Sequence, residues 1–246
     1  MPAIRVCVAG VTGWTGRPIA DAIEAAADLE LVAGLSRESV ADALDATEAD
    51  VLVDYTHATV VKGNVLAALE RGVNVVVGSS GLSAGDYVEI DALARAKNVG
   101  VIAAGNFSVT AALLLRFAEA AAQQFDRWEI VDYASAGKQD APSGTARELA
   151  ERLAAVRAPA LSVPIAEVHG AREARGATIA GSQVHSLRLP SFVVSTEIVF
   201  ARAGERLSLR HDAGETPAPY VAGTLVAIRA VPGRVGLTRG LDRLLF

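Results

Sequence analysis

Gly10, Gly13 and Gly16 are the first residues in the chain whose type and spacing could do chemistry. They punctuate Gly10-Val-Thr12-Gly13-Trp14-Thr15-Gly16, between a β-branched apolar run, Ile4 to Ala9, and a segment of helical spacing that starts at Thr15. Glycines let the backbone turn tightly and approach phosphates, whose charge is stabilised by free amides and by the positive end of a helix. The spacing is GxxGxxG rather than GxGxxG, so the strand-to-helix context carries the reading. Gly10, Thr12, Gly13, Trp14, Thr15 and Gly16 are therefore expected to cradle a dinucleotide pyrophosphate. At the end of the next apolar run, Leu35 is followed by Ser36, which can donate to a 2′-phosphate, and Arg37, which can pair with one. NADPH is the expected cofactor, and NADH is kept open because Glu38 comes next.

A second group, Lys138-Gln-Asp140-Ala-Pro142-Ser143-Gly144-Thr145, precedes a helical segment. Pro142 fixes a turn and Ser143 is a good N-cap. Gly144 and Thr145 then offer first-turn amides and a hydroxyl to an anion, and a carboxylate suits that end. Lys138 is one of only three lysines in 246 residues, and it can supply a second positive charge or a proton. The four histidines have no metal-ligand spacing, and the single cysteine, Cys7, has no partner, so neither a metal site nor a disulfide is expected. His185 and His211 lie in strand-like runs and read as core or hydrogen-bonded residues. The acidic residues read as lying on outer helix faces.

The elements that must position these groups alternate along the first 105 residues. Strands are expected over 4–9, 30–35, 51–54, 74–77 and 100–104, with helices over 15–28, 40–46, 60–71 and 84–97 between them. Such alternation implies parallel βαβ units, a Rossmann-type doubly wound sheet. After Asn106 come helices over 109–124 and 143–156 and strand-like runs over 128–133, 183–189, 192–201 and 206–211, which imply an α+β domain with a mixed sheet. The expected domains are 1–105 for the dinucleotide and 106–217 for substrate and oligomerisation, with 218–246 packing back on the first. The net charge of −5, with both signs interspersed, speaks against nucleic acid. With no targeting pattern or spanning apolar stretch, the chain reads as cytoplasmic, with no membrane partner.

The run Lys138 to Ala146 resembles the KxDAPSGTA signature of the 4-hydroxy-tetrahydrodipicolinate (dihydrodipicolinate) reductases. Asp54-Tyr-Thr-His57, Gly78-Ser-Ser-Gly81, Asn106-Phe-Ser108, His185-Ser-Leu-Arg188 and Gly204-Glu-Arg-Leu207 are similar to the same family in the same order. The resemblance implies a homotetramer that reduces 4-hydroxy-tetrahydrodipicolinate, a cyclic imine-type dicarboxylate, in lysine and diaminopimelate synthesis. It adds Tyr55, Thr56, Gly78, Ser80, Asn106 and Phe107 to the cofactor residues and assigns Ser143, Gly144 and Thr145 to substrate. The family's HHxxK stretch, whose first histidine is taken as the proton donor, reads Ala134-Ser135-Ala136-Gly137-Lys138 here. Thr12 and Trp14 replace basic residues of the glycine turn, and Gly105 replaces a proline. Lys138, Tyr133 and water are the remaining candidate donors. Two alternatives follow from these departures: a paralogue reducing another cyclic imine or carbonyl compound, and a nucleotide-binding protein without turnover.

Overall fold

The computed structural model describes residues 2–246, which divide into two compact units, 2–109 with 217–246, and 110–216. The first unit is built on strands β1 (Ile4–Ala9), β2 (Leu29–Leu35), β3 (Val51–Asp54), β4 (Asn74–Val77) and β5 (Gly100–Ala103). Between them run helices α1 (Gly16–Glu24), α2 (Val40–Ala46), α3 (Val61–Glu70) and α4 (Ala84–Lys97). Each central strand is an unbroken apolar run because it is buried on both faces: Val6 to Val8, Val51 to Val53 and Val75 to Val76 are all 0% exposed. Helix α1 buries Ile19, Ala20 and Ile23, one stripe at helical spacing. Helix α4 starts with a reciprocal capping box between Ser83 and Asp86 and stops at Asn98, whose φ of 58° is left-handed.

In the second unit, helices α5 (Val109–Ala122) and α6 (Gly144–Val156) accompany strands β6 (Trp128–Ala134), β7 (Ala177–Ile179), β8 (Ser182–Arg188), β9 (Val194–Arg202) and β10 (Glu205–Asp212). The order is β10-β9-β6-β8-β7, with β6 and β8 parallel and the other pairs antiparallel, so the sheet is mixed. Strand β6 alternates strictly between buried and half-buried positions. Its inner residues Trp128 and Ile130 join Leu115 and Ala118 of α5, Leu149 and Leu153 of α6, and Ile198 and Phe200 of β9 in one core.

The C-terminal segment returns to the first unit as α7 (Ala218–Ala230), β11 (Gly236–Arg239) and α8 (Asp242–Leu245). Strand β11 pairs in parallel with β5, which completes the order β11-β5-β4-β3-β1-β2. Neither β7 nor β11 carries a sequence signal. Three or four residues are too few to display a period, and β11 has one large apolar side chain, Leu237. The acidic residues also depart from expectation. Asp54 and Asp132 are strand residues with 0% exposure rather than occupants of outer helix faces.

Candidate active site

The strand order of the first unit reverses at β1, whose neighbours β2 and β3 lie on opposite sides. In an open parallel sheet the crevice at such a point, outside the carboxyl ends of the strands, receives ligands. Every expected cofactor residue of this unit follows the carboxyl end of a strand: Gly10 to Gly16 after β1, Ser36 and Arg37 after β2, Tyr55 and Thr56 after β3, Gly78 and Ser80 after β4, Asn106 and Phe107 after β5.

The glycine turn is required by close packing. Gly10 has φ of 88°, and a Cβ there would stand 2.3 Å from the Tyr55 carbonyl oxygen. A Cβ on Gly16 would stand 2.1 Å from the Gly10 carbonyl oxygen. The amides of Gly10 and Val11 donate to the Leu35 carbonyl and that of Gly13 to the Gly10 carbonyl, which pins the turn to the end of β2. At the start of α1 the Arg17 amide donates to the Gly13 carbonyl at 3.2 Å and the Ile19 amide to the Thr15 carbonyl at 3.3 Å, and Pro18 has no N–H, which leaves the Gly16 amide without an acceptor in the helix. Thr12 is exposed, Thr15 is the N-cap without a side-chain cap bond, and Trp14 packs edge-on against Tyr220.

Asp54 organises the next two loops. Its carboxylate accepts from the Thr56 amide and hydroxyl, at 3.1 and 2.7 Å, from Asn64 at 2.8 Å and from the Ser79 hydroxyl at 2.6 Å. The Thr56 hydroxyl is thus committed to Asp54, and Ser79 rather than exposed Ser80 ties the β4 loop down. The Tyr55 phenol shares a 2.7 Å hydrogen bond with Thr224, and burial pushes its pKa up. A Cβ on Gly78 would lie 2.3 Å from the Tyr55 ring, so Gly78 and Tyr55 shape the crevice wall together. Asn106 and Phe107 are buried, and the Asn106 side-chain oxygen accepts from the Ser108 amide at 2.8 Å.

In the second unit Ser143 is the N-cap of α6, and its hydroxyl accepts from the Ala146 amide at 3.3 Å. The hydroxyl hydrogen is still free to donate. The Ser143 amide donates to Asp132 at 2.9 Å, so this residue is both cap and part of a buried network. Asp132 also accepts from the Ser186 hydroxyl at 3.0 Å and from Arg188 at 2.9 Å, and Arg188 reaches on to the Asp140 carbonyl at 2.6 Å. Strand β6, strand β8 and the loop 135–142 are held together at the start of α6, where Gly144 is half-buried and Thr145 is buried. Lys138 Nζ stands 2.7 Å from Asp140 Oδ1 in that loop. The result is the candidate anion cradle, a capped and anchored helix start with a lysine on the loop that leads into it. Sequence reasoning missed Asp132 and gave Arg188 no role; an acid at the inward spacing of Trp128 and Ile130, in the strand before the signature, was the available signal.

Ala134 is buried and Ser135 exposed, and neither has a titratable side chain. Tyr133 lies on the half-buried face of β6, opposite Asp132 and Ala134. Its hydroxyl donates to Glu197 at 3.1 Å, and its pKa is raised by burial and by Glu197, which makes it a poor acid. A concavity of about 840 Å3 in this unit is lined by Glu129, Arg175 and His185, among others, and excludes the cradle residues. His185 Nε2 pairs with Glu129 at 2.8 Å, and His211 is 5% exposed. Among the described residues no three His, Cys, Asp or Glu side chains are grouped to hold a metal ion, and no helix is long and apolar enough to cross a membrane.

Comparison with known proteins adds family information to this geometry. Residues 4–107 match the family model described as dihydrodipicolinate reductase, N-terminus, and residues 110–245 match the C-terminus model of the same enzyme. The chain is 40% identical over 245 residues to the 4-hydroxy-tetrahydrodipicolinate reductase of Cutibacterium acnes, covering 98% of each chain. It is 39% identical over 242 residues to that of Nocardia farcinica, covering 97% of each. Among solved structures, a dipicolinate-bound dihydrodipicolinate reductase from Paenisporosarcina sp. TG-14 superposes with a TM-score of 0.78 at 28% identity, over 98% of this chain and 99% of that one. GenD2 of gentamicin A biosynthesis, in complex with NAD, shares the fold with a TM-score of 0.67 at 15% identity, over 100% of this chain and 91% of that one.

Proposed function

This chain belongs to the dihydrodipicolinate reductase family, and on that premise we propose that it reduces 4-hydroxy-tetrahydrodipicolinate to tetrahydrodipicolinate with NADPH, accepting NADH as well. The cofactor, when bound, supplies the hydride. The chain's own residues hold the reactants and move the proton. The glycine turn and the start of α1 bind the pyrophosphate, Ser36 and Arg37 bind the 2′-phosphate, and Gly78, Ser80, Asn106 and Phe107 border the remainder of the dinucleotide. The Ser143 hydroxyl with the first-turn groups of Gly144 and Thr145 binds a substrate carboxylate.

Lys138 pairs with the dicarboxylate and donates the proton. The observation that carries this reading is the cradle itself: a buried N-cap, Ser143, fixed by Asp132, with Lys138 on the loop that leads into it. Ala134 and Ser135 have no acid to offer near neutrality, and Tyr133 is committed to Glu197, which leaves Lys138 as the side-chain donor, with ordered water as the alternative. The enzyme works as a homotetramer in the cytoplasm, where Cys7, buried in β1, stays reduced.

The decisive assay is NADPH oxidation by the purified chain supplied with freshly generated 4-hydroxy-tetrahydrodipicolinate. Turnover at an ordinary enzymatic rate is expected. The replacement of both histidines by Ala134 and Ser135 favours one other reading, reduction of a different cyclic imine or carbonyl compound bearing a carboxylate. Absence of turnover together with nucleotide binding, and a rise in melting temperature on adding pyridine-2,6-dicarboxylate, would select that reading.

A further inference from the structure

Beyond Leu35 the chain folds back on itself within three residues. Glu38 Oε2 accepts from the Ser36 amide at 2.6 Å, from the Arg37 amide at 2.9 Å and from the Ser36 hydroxyl at 3.2 Å. Two consecutive amides and a hydroxyl converging on one point are a donor set for an anion, of the kind that binds phosphate oxygens. The set is anchored to the cofactor crevice, because the Leu35 carbonyl that precedes it takes the Gly10 and Val11 amides at 2.8 and 3.0 Å.

Arg37 points the same way. Elsewhere in this unit Arg5, Arg71, Arg95 and Arg229 are each paired with a carboxylate. The Arg37 guanidinium, like that of Arg234, forms no ion pair among the described residues, and it belongs to an exposed residue whose own amide is part of the nest. A free cation next to an anion-binding nest is the arrangement a 2′-phosphate needs, but a carboxylate of this chain already sits there.

We propose that Glu38 is the specificity-determining residue at the adenosine ribose: its carboxylate occupies the nest that a 2′-phosphate would use, and so holds down the preference for NADPH that Ser36 and Arg37 create. This rests on the reading that the first unit binds a nicotinamide dinucleotide. NADPH must displace Glu38 and bring a second anion beside it. NADH brings no phosphate there, and its ribose hydroxyls can donate to Glu38 Oε1, the oxygen not engaged by the two amides. Because the amides of its own residue, Ser36 and Arg37 hold the Glu38 pKa down to about 2, the competitor is charged throughout the working pH range.

The test is equilibrium binding by calorimetry on the full chain, with NADPH, NADH, adenosine 2′,5′-bisphosphate and AMP as probes. Glu38→Ala empties the nest. Glu38→Gln keeps an acceptor but no charge, and the site is exposed, so both variants should keep the wild-type melting temperature. Both are expected to tighten NADPH relative to NADH, and the bisphosphate relative to AMP, by about tenfold or more. Arg37→Ala is expected to move both ratios the other way. Ratios within about threefold of wild type in both Glu38 variants, with both dinucleotides still binding, overturn the role of Glu38 alone. Failure of the wild-type chain to bind either dinucleotide overturns the cofactor reading and this proposal with it.

Discussion

Lys138 and Asp140 share a short loop and a 2.7 Å ion pair, so the lysine is held in place while two of its three N–H bonds remain for a ligand. Replacing Lys138 by alanine should lower kcat by about 10²–10⁴-fold, the usual cost of losing a positioned general acid. Nucleotide affinity should stay unchanged, because the glycine turn belongs to the other unit. Stopped-flow turnover and nucleotide titration check the two halves of that statement. Asp132 has a different part. It is 0% exposed and bonds Ser143, Ser186 and Arg188 at once. Asp132→Asn leaves the Arg188 guanidinium without its anion, and breaking such a buried pair costs about 3–5 kcal/mol. Urea denaturation should show a loss of that size, and a loss below about 1 kcal/mol would mean that the pair is solvated.

The same glycine residue type does opposite work in different elements. In the turn before α1, Gly16→Ala drives a Cβ to 2.1 Å from the Gly10 carbonyl oxygen, so the turn must open. Dinucleotide binding is expected to weaken by about tenfold or more, with a stability loss of about 1–3 kcal/mol from overpacking. Inside α3, a Cβ on Gly63 meets nothing within 4 Å. Gly63→Ala should therefore stabilise the chain by about 0.5–1 kcal/mol, through better helix propensity alone, and leave nucleotide binding untouched. Thermal melts of the two variants with and without NADPH separate the effects.

At the scale of the molecule, stability on the acid side should depend on His211. This residue is buried near the end of β10, and burial lowers its pKa from the ordinary 6.5. The unfolded chain then takes up a proton that the folded chain resists, so the contribution is complete above 6.5 and declines as pH falls through the lowered value. Replacing His211 by glutamine should flatten the acid limb of a melting-temperature profile below pH 6.5, while the remaining slope belongs to carboxylates such as Asp50 and Asp212. The homotetramer is a second expectation at this scale. Light scattering on a sizing column should give four times the chain mass, and a monomeric mass at assay concentrations would remove it.

Strands, helices and the two chemical segments were legible in the sequence because each has a local signature. Apolar runs mark buried parallel strands, i to i+4 stripes mark helices, glycines between strand and helix mark a phosphate turn, and proline followed by serine marks a capped helix start. The signature from Lys138 to Ala146 is local in the same sense, and so the family resemblance could be stated before any fold was known. The companions of these segments were not legible. Asp132 meets Ser143 across 11 residues and Arg188 across 56, and Asp54 meets Ser79 across 25. Strand β11 finds β5 across the whole of the second unit. Even Glu38, two residues from Ser36, gave up its position only when the backbone bend beyond β2 was seen, since sequence shows that a carboxylate is near an amide but not that it turns back to it. Hydrogen bonds between distant segments leave no period in the chain, and only the tertiary structure, by bringing strand ends together, decides which acid meets which amide.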